Sequence, residues 1–302
     1  MSKVVLVGCG NVGMSYAYSL VNQKNRVSEL VLIDINKDKC VGEALDLMHA
    51  VSFAPNKMKI YAGEYKDCEN ADIVCICAGR NQNVGETRLD LVKKNYAVFE
   101  SIINEINKTN FCGIYLIATN PLDVMTQITH KLSGFEKHKV IGSGTLLDTA
   151  RLRYLISEQL KISPKSIHGY VIGEHGDSEF VPWSNTQIGL DKASKFLTEN
   201  DMSRISYDVR NSAYDIINKK GNTSYGIGLC LTKITNAILD NSHRIYTISS
   251  FNEHYGLYIG QPSVLGKNGI EKVLELNLNK DDKIKFEESV NAIQNVLNKI
   301  NL

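Results

Sequence analysis

His175 stands between two glycines and among acids in Gly173-Glu174-His175-Gly176-Asp177-Ser178-Glu179. Flanking glycines allow tight backbone and an exposed ring. An imidazole is the side chain best poised to move a proton near neutral pH, for instance onto the alkoxide that hydride transfer to a ketone creates. A carboxylate behind the ring would hold one tautomer and favour the imidazolium. Asp148 is the candidate. It precedes Arg151 by three residues in Leu146-Leu147-Asp148-Thr149-Ala150-Arg151-Leu152-Arg153, so the two share a helix face, while Arg153 points nearly the opposite way. Read singly, these features have ordinary alternatives: a hydrogen-bonded surface histidine, and an exposed ion pair of little energetic weight.

Gly8-Cys9-Gly10-Asn11-Val12-Gly13 is a GxGxxG that leaves an apolar run and opens a helical one. Its first glycine permits a tight turn. The second lets backbone approach a pyrophosphate, and the third lets helix pack on strand. Amide N–H groups at the helix start then face phosphates. Asp34 ends the next apolar run, where an acid holds a ribose 2′-hydroxyl and repels a 2′-phosphate. The pattern points to NAD rather than NADP. A third loop, Gly79-Arg80-Asn81-Gln82-Asn83-Val84-Gly85-Glu86-Thr87-Arg88, carries two of the eight arginines and follows a third strand-like run. It falls at a carboxyl strand end, where open α/β sheets bind ligands; a solvated loop is the alternative.

The elements that must position these residues alternate. Extended runs at 4–7, 29–34, 59–62, 72–78, 112–118 and 140–142 enclose helical spacing at 11–23, 37–52, 87–107 and 121–132. That rhythm predicts a parallel sheet with helices on both faces. Beyond about residue 145 the rhythm changes. A helix over 146–160, extended pieces near 167–172 and 180–188, two helices near 201–219 and 224–240, extended runs at 244–251 and 257–266 and a last helix from 281 predict an α+β half.

Length and charge narrow the function. The 302 residues suffice for one large or two moderate domains with a sizeable core. Lys plus Arg is 34 against 33 Asp plus Glu, a balance that offers nothing to nucleic acid or an anionic membrane. No stretch approaches the ~20 apolar residues of a membrane span, and the N-terminus lacks a signal-peptide layout. Seven scattered cysteines show no zinc or redox spacing, so no metal is expected, and reduced thiols suit a cytoplasmic protein. Cys75 and Cys77 are expected to point to opposite faces of their strand.

The segments GCGNVGMSYAYSL, NQNVGETRLDLVKKN, ATNPLDV, GSGTLLDTARLRY, GYVIGEHGDSE and GNTSYGIG together resemble the lactate/malate dehydrogenase family over essentially the whole chain. The resemblance implies an α/β fold: a Rossmann-type doubly wound parallel sheet over 1–143, binding NAD, and a second α+β catalytic and oligomerisation domain over 144–302. It implies His175 as proton donor and acceptor, Asp148 as its partner, Arg151 as the two-pronged grip on a substrate carboxylate, and Arg88 as the group that polarises the reacting carbonyl. Asn120 and Thr223 would line the substrate. Gly8, Gly10, Asn11, Val12, Gly13, Asp34, Ala78, Gly79, Thr119, Asn120 and Ile227 would touch the cofactor. The arginine loop would be a lid that excludes water.

Gln82 bears on the substrate. Malate enzymes of the family carry Arg at the matching position for a second carboxylate; a neutral Gln implies pyruvate and L-lactate. Asn83-Val84 departs from the Lys-Pro common in bacterial lactate enzymes, which touches lid stiffness. Arg153 and His168 match positions that bind fructose 1,6-bisphosphate between subunits of bacterial relatives. The chain starts three residues before its first strand, without the N-terminal arm of animal relatives, which implies the bacterial type. A homotetramer is expected. Rival readings are a malate dehydrogenase, another 2-hydroxy acid dehydrogenase, and a noncatalytic NAD-binding redox sensor.

Overall fold

Strand β1 (Ser2–Val7) feeds two cores at once. Val4 and Leu6 join one apolar cluster, Val5 and Val7 another, as a strand buried on both faces requires. The computed structural model describes residues 2–80 and 88–300, with Arg88 as backbone only.

The chain continues with α1 (Asn11–Asn22), β2 (Val27–Ile33), α2 (Lys37–Ala50), β3 (Lys59–Ala62), β4 (Ile73–Ile76), α3 (Arg88–Ile106), β5 (Ile114–Ile117), α4 (Leu122–Ser133) and β6 (Val140–Gly142). Then come α5 (Leu146–Leu160), β7 (Ile167–His168), β8 (Gln187–Ile188), β9 (Asp191–Lys192), α6 (Glu199–Lys220), α7 (Tyr225–Leu239), β10 (Arg244–Asn252), β11 (Leu257–Gly266), β12 (Gly269–Val273) and α8 (Lys280–Lys299). Local chemistry sets several boundaries. Asn36 caps α2 by accepting the Lys39 N–H at 3.1 Å, and Thr198 with Asp201 forms a capping box at the start of α6.

Six strands run parallel in the order β3-β2-β1-β4-β5-β6. Helices α1, α2 and α7 cover one face through Tyr16, Leu20, Ala44 and Leu231, and α3, α4 and α8 cover the other through Phe99, Ile103, Met125 and Ile293. The order reverses between β1 and β4, and the carboxyl ends of that pair form the crevice where such sheets take ligands.

The second half does not build its own large sheet. Strands β10, β11 and β12 run antiparallel and extend the first one, joined where Ser249 of β10 pairs with Gly142 of β6. The extended segments expected at 167–172 and 180–188 shrink to the small β7-β8-β9 sheet and a bridge between Ile172 and Phe180. A third cluster lies there, with Leu152 and Ile156 of α5 against Ile205 and Val209 of α6.

One expectation needs correction. Cys75 and Cys77 do not point apart; their Sγ atoms lie 3.8 Å from each other. Side chains two residues apart on an extended chain share a face. No described helix is long and apolar enough to cross a membrane.

Candidate active site

The phosphate loop is built by close approach. Gly8 leaves β1 at φ +102°, and a Cβ there would overlap the Ala78 backbone at the end of β4. Only glycine meets both demands. Asn11 and Val12 open α1, and Gly13 packs directly on the Gly8 carbonyl. Gly10 is exposed, with nothing within 4 Å of where a Cβ would stand. That open spot, bordered by the first amides of α1, fits a pyrophosphate. It borders a cavity of 520 Å³ that also reaches Cys9, Asn11, Lys39 and Ser224. Asp34 follows β2 directly. Its Oδ2 accepts the Cys9 N–H at 2.7 Å and its Oδ1 the Asn36 N–H at 2.9 Å. One carboxylate thus faces the loop and retains lone pairs for a ribose hydroxyl. The residues present fit a dinucleotide.

Ala78 and Gly79 leave β4 beside this loop. Thr119, at the end of β5, donates its hydroxyl to the Ala78 carbonyl at 2.7 Å. Next to it, the exposed Asn120 offers its carbonyl to Asn95 Nδ2 at 2.8 Å, and Asn95 Oδ1 accepts the Arg80 N–H at 2.8 Å. Asn95 is fully buried in α3 and was not singled out from sequence. The only signal there is a polar residue at the buried phase of an amphipathic helix.

His175 and Asp148 meet. Asp148, 1% exposed in the first turn of α5, accepts from or pairs with His175 Nδ1 at 2.8 Å and accepts from Arg151 Nη1 at 2.7 Å. Both expected partners therefore sit on one carboxylate. The His175 ring is a quarter exposed, so the other ring nitrogen is left for a ligand. Two further acids converge on it. Asp123 of α4, buried, accepts the His175 backbone N–H at 2.7 Å and the Ser249 hydroxyl of β10. Glu179 places Oε2 3.8 Å from His175 Nδ1. Neither acid had been assigned a role from sequence.

The electrostatics follow from this crowd. Burial alone would lower the His175 pKa. The Asp148 carboxylate outweighs it by charge and hydrogen bond, with Glu179 and Asp123 adding to the push, and the imidazolium is held up to about 9. Burial works against the Asp148 anion, yet His175 and Arg151 together keep its pKa below the usual carboxylate value. Burial raises Asp123 to about 6, although its hydrogen bonds from Ser249 and His175 oppose this. Burial and the Asp148 charge push Glu179 well above the ordinary range.

Thr223 precedes α7 and Ile227 lies in its first turn, both half-buried. Gly226 packs on Leu147, so this segment abuts the helix of Asp148. Arg153 leaves α5 in another direction. Its Nε donates to the Gly169 carbonyl at 3.2 Å and its guanidinium lies 5.5 Å from the Tyr170 ring centre. His168 is exposed in neighbouring β7. Gln82, the lid departure Asn83-Val84 and the Arg88 side chain lie outside the described residues; α3 begins at the Arg88 backbone.

Residues 2–142 match the family model for the lactate/malate dehydrogenase NAD-binding domain, and 145–301 that for the family's α/β C-terminal domain. The chain is 47% identical to L-lactate dehydrogenase 1 of Peribacillus psychrosaccharolyticus, over 98% of this chain and 96% of that one. It is 46% identical to the L-lactate dehydrogenase of Geobacillus sp. (strain WCH70), over 99% and 97%. Among solved structures, a lactate dehydrogenase from a Medee basin deep-sea metagenome library superposes with a TM-score of 0.97 at 45% identity, covering 100% of this chain and 99% of that one. The minor L-lactate dehydrogenase of Enterococcus mundtii gives 0.96 at 39%, over 99% and 98%.

Proposed function

The chain belongs to the lactate/malate dehydrogenase family, and from that premise we propose that it interconverts pyruvate and L-lactate with NAD(H). The observation that carries the reading is the double engagement of Asp148 by His175 at 2.8 Å and Arg151 at 2.7 Å, beside a phosphate loop that fits the cofactor. When bound, the nicotinamide supplies hydride to the substrate C2, or takes it back.

His175 is the acid–base group. Its imidazolium gives a proton to the oxygen that becomes the lactate hydroxyl, and neutral imidazole takes it back in the reverse direction. Asp148 holds Nδ1, fixes the tautomer and stabilises the cation without taking its proton. Arg151 has guanidinium donors beyond the one spent on Asp148, and these grip the substrate carboxylate. Asn120 and Thr223 line the substrate. Arg88 polarises the ketone, and Gln82 lines the methyl side. Asp34, with Gly8, Gly10, Asn11, Val12 and Gly13, holds the adenosine ribose and the pyrophosphate, while Ala78, Gly79, Thr119 and Ile227 flank the rest of the cofactor. The cofactor domain spans 1–143 and the catalytic domain 144–302.

Steady-state kinetics on pyruvate, oxaloacetate and 2-oxoisocaproate test the reading. Pyruvate is expected to give the highest kcat/KM. A higher value on oxaloacetate would assign a malate dehydrogenase, and no NADH turnover with any of the three would leave a redox sensor.

Regulation and assembly complete the proposal. Arg153 and His168 form a fructose 1,6-bisphosphate site in a cytoplasmic homotetramer. Arg153 bonds the carbonyl of Gly169, the residue after His168, and lies near the Tyr170 ring, which supports this. Pyruvate affinity is expected to rise with the bisphosphate; equal affinity with and without it would refute the effector site.

A further inference from the structure

One buried carboxyl behind the His175–Asp148 pair has no part in the reaction above. Glu179 is 4% exposed. Ligand-type atoms of Asp148, His175 and Glu179 all lie within 4.8 Å of one another, and Glu179 Oε2 stands 3.8 Å from the same His175 Nδ1 that pairs with Asp148 at 2.8 Å. Two carboxylates so close and so dry do not both stay ionised unless each has its own cation.

The cations nearby are already committed. Arg151, from α5, bonds Asp148 at 2.7 Å. His175 bonds Asp148 at 2.8 Å but stands 3.8 Å from Glu179. Arg210, from α6, gives Nη2 to the Glu179 backbone carbonyl at 3.1 Å. Helix α8 faces Glu179 across a cavity of 340 Å³ with Lys285 and Glu288, which are of opposite sign. Asp123, from α4, adds further negative charge around His175. Among the described residues no cation comes closer to the Glu179 carboxyl than the His175 ring, and that ring belongs to Asp148.

We propose that Glu179 is a positioning residue: a neutral carboxylic acid whose O–H donates to the Asp148 carboxylate and limits how strongly Asp148 holds the His175 proton. The inference rests on His175 being the acid–base group of the proposed reaction. Asp148 then accepts from three donors: Arg151, His175 and Glu179. Each donor spreads the carboxylate charge, so each weakens its pull on the imidazolium. An ionised Glu179 would act the other way, adding a second anion that favours His175 in its charged form.

The pH profile of kcat/KM for pyruvate reduction separates these cases in wild type, Glu179→Gln and Glu179→Met. Gln keeps a donor and carries no charge, so its midpoint should match wild type. Met keeps the volume but cannot donate, so its midpoint should rise. If Glu179 were ionised, Glu179→Gln would lower the midpoint by about 1–3 units, and the proposal fails. Midpoints identical in all three proteins would show a merely structural residue and also overturn it. Infrared difference spectra of glutamate-labelled protein provide a readout independent of turnover and of the Met variant. A protonated-carboxyl stretch at neutral pH that vanishes in Glu179→Gln is expected; its absence from wild type refutes the proposal. If wild type turns over no 2-oxo acid, the reading of His175 fails while the infrared band still decides the state of Glu179.

Discussion

Gly173 and Gly260 exchange both backbone hydrogen bonds, at 2.9 and 3.0 Å. The exchange ties the loop of His175 to the middle of β11, two residues before the ring proposed to move the proton. The two chains can come this close because Gly260 has no side chain. A Cβ there would stand 2.6 Å from the Gly173 carbonyl and 3.0 Å from the Thr145 side chain. Gly260→Ala must push the loop away or strain β11, at a cost of about 1–3 kcal/mol. Because misplaced catalytic groups lose rate steeply, kcat should fall about tenfold or more, with less effect on KM. Thermal melting and steady-state kinetics check this; an unchanged kcat would mean that β11 does not position the loop.

The pH dependence of the two directions should cross. On the proposed mechanism pyruvate reduction needs His175 protonated, and its imidazolium persists up to about 9. With Glu179 neutral, that residue's share of the push is missing, so the midpoint should lie at or just below that value. Reduction falls as pH rises through the midpoint, and lactate oxidation rises over the same window. Stability shares the sign. A pKa raised from 6.5 on folding contributes stability that is complete below 6.5 and is lost as pH rises through about 9. Asp148→Asn removes the main cause. The kcat/KM midpoint should drop toward the ordinary histidine value, and the rate should fall by about 100-fold or more. Profiles measured in both directions, wild type beside variant, test the assignment.

Much of the site was legible because its spacing is local. Asp148 and Arg151 occupy one turn of one helix, and Gly8 to Asp34 one strand-turn-helix-strand unit, so periodicity put each group on its element, while the family resemblance implied the roles of Asp148 and Arg151. The rest depends on chain segments meeting from far apart. Asp123 reaches the His175 amide across 52 residues, and Ser249 reaches Asp123 across 126. Nothing in either local sequence marks that meeting. The same holds for the sheet. Six parallel strands follow from alternation, but the continuation through β10 depends on the Ser249–Gly142 pairing, which no run of residues announces. Cys75 and Cys77 were misread for a simpler reason, since the period of an extended chain puts them on one face.

Asn95 is expected to matter without touching substrate. Its amide spans two loops, bonding the Arg80 N–H at the root of the arginine loop and the Asn120 carbonyl at the end of β5. Asn95→Leu is close in volume but leaves both backbone groups without these partners, at about 1–3 kcal/mol apiece if they stay buried. Pyruvate KM should rise and Tm should fall. Asn95→Asp separates geometry from polarity. It still accepts from Arg80 but cannot donate to Asn120, so it should retain more stability than Leu. A Leu variant with unchanged KM would show that the two loops are held by other contacts.

Asp34 has two duties, and its variants should separate them. Its Oδ2 receives the Cys9 amide at 2.7 Å and its Oδ1 the Asn36 amide at 2.9 Å, so the carboxylate braces the phosphate loop it is proposed to serve. Asp34→Asn keeps one acceptor oxygen, loses the charge and turns an amide donor toward one of those backbone N–H groups. NADH binding should weaken by about tenfold, since a charged hydrogen bond to a ribose hydroxyl contributes about 1.5–3 kcal/mol. Repulsion of a 2′-phosphate should ease at the same time, so discrimination between NADH and NADPH narrows. Asp34→Ser lacks the reach to brace the loop, and it should weaken both cofactors together while relaxing the same discrimination. Titration of protein fluorescence with each cofactor measures both quantities. Discrimination unchanged in Asp34→Asn would mean that another group reads the ribose.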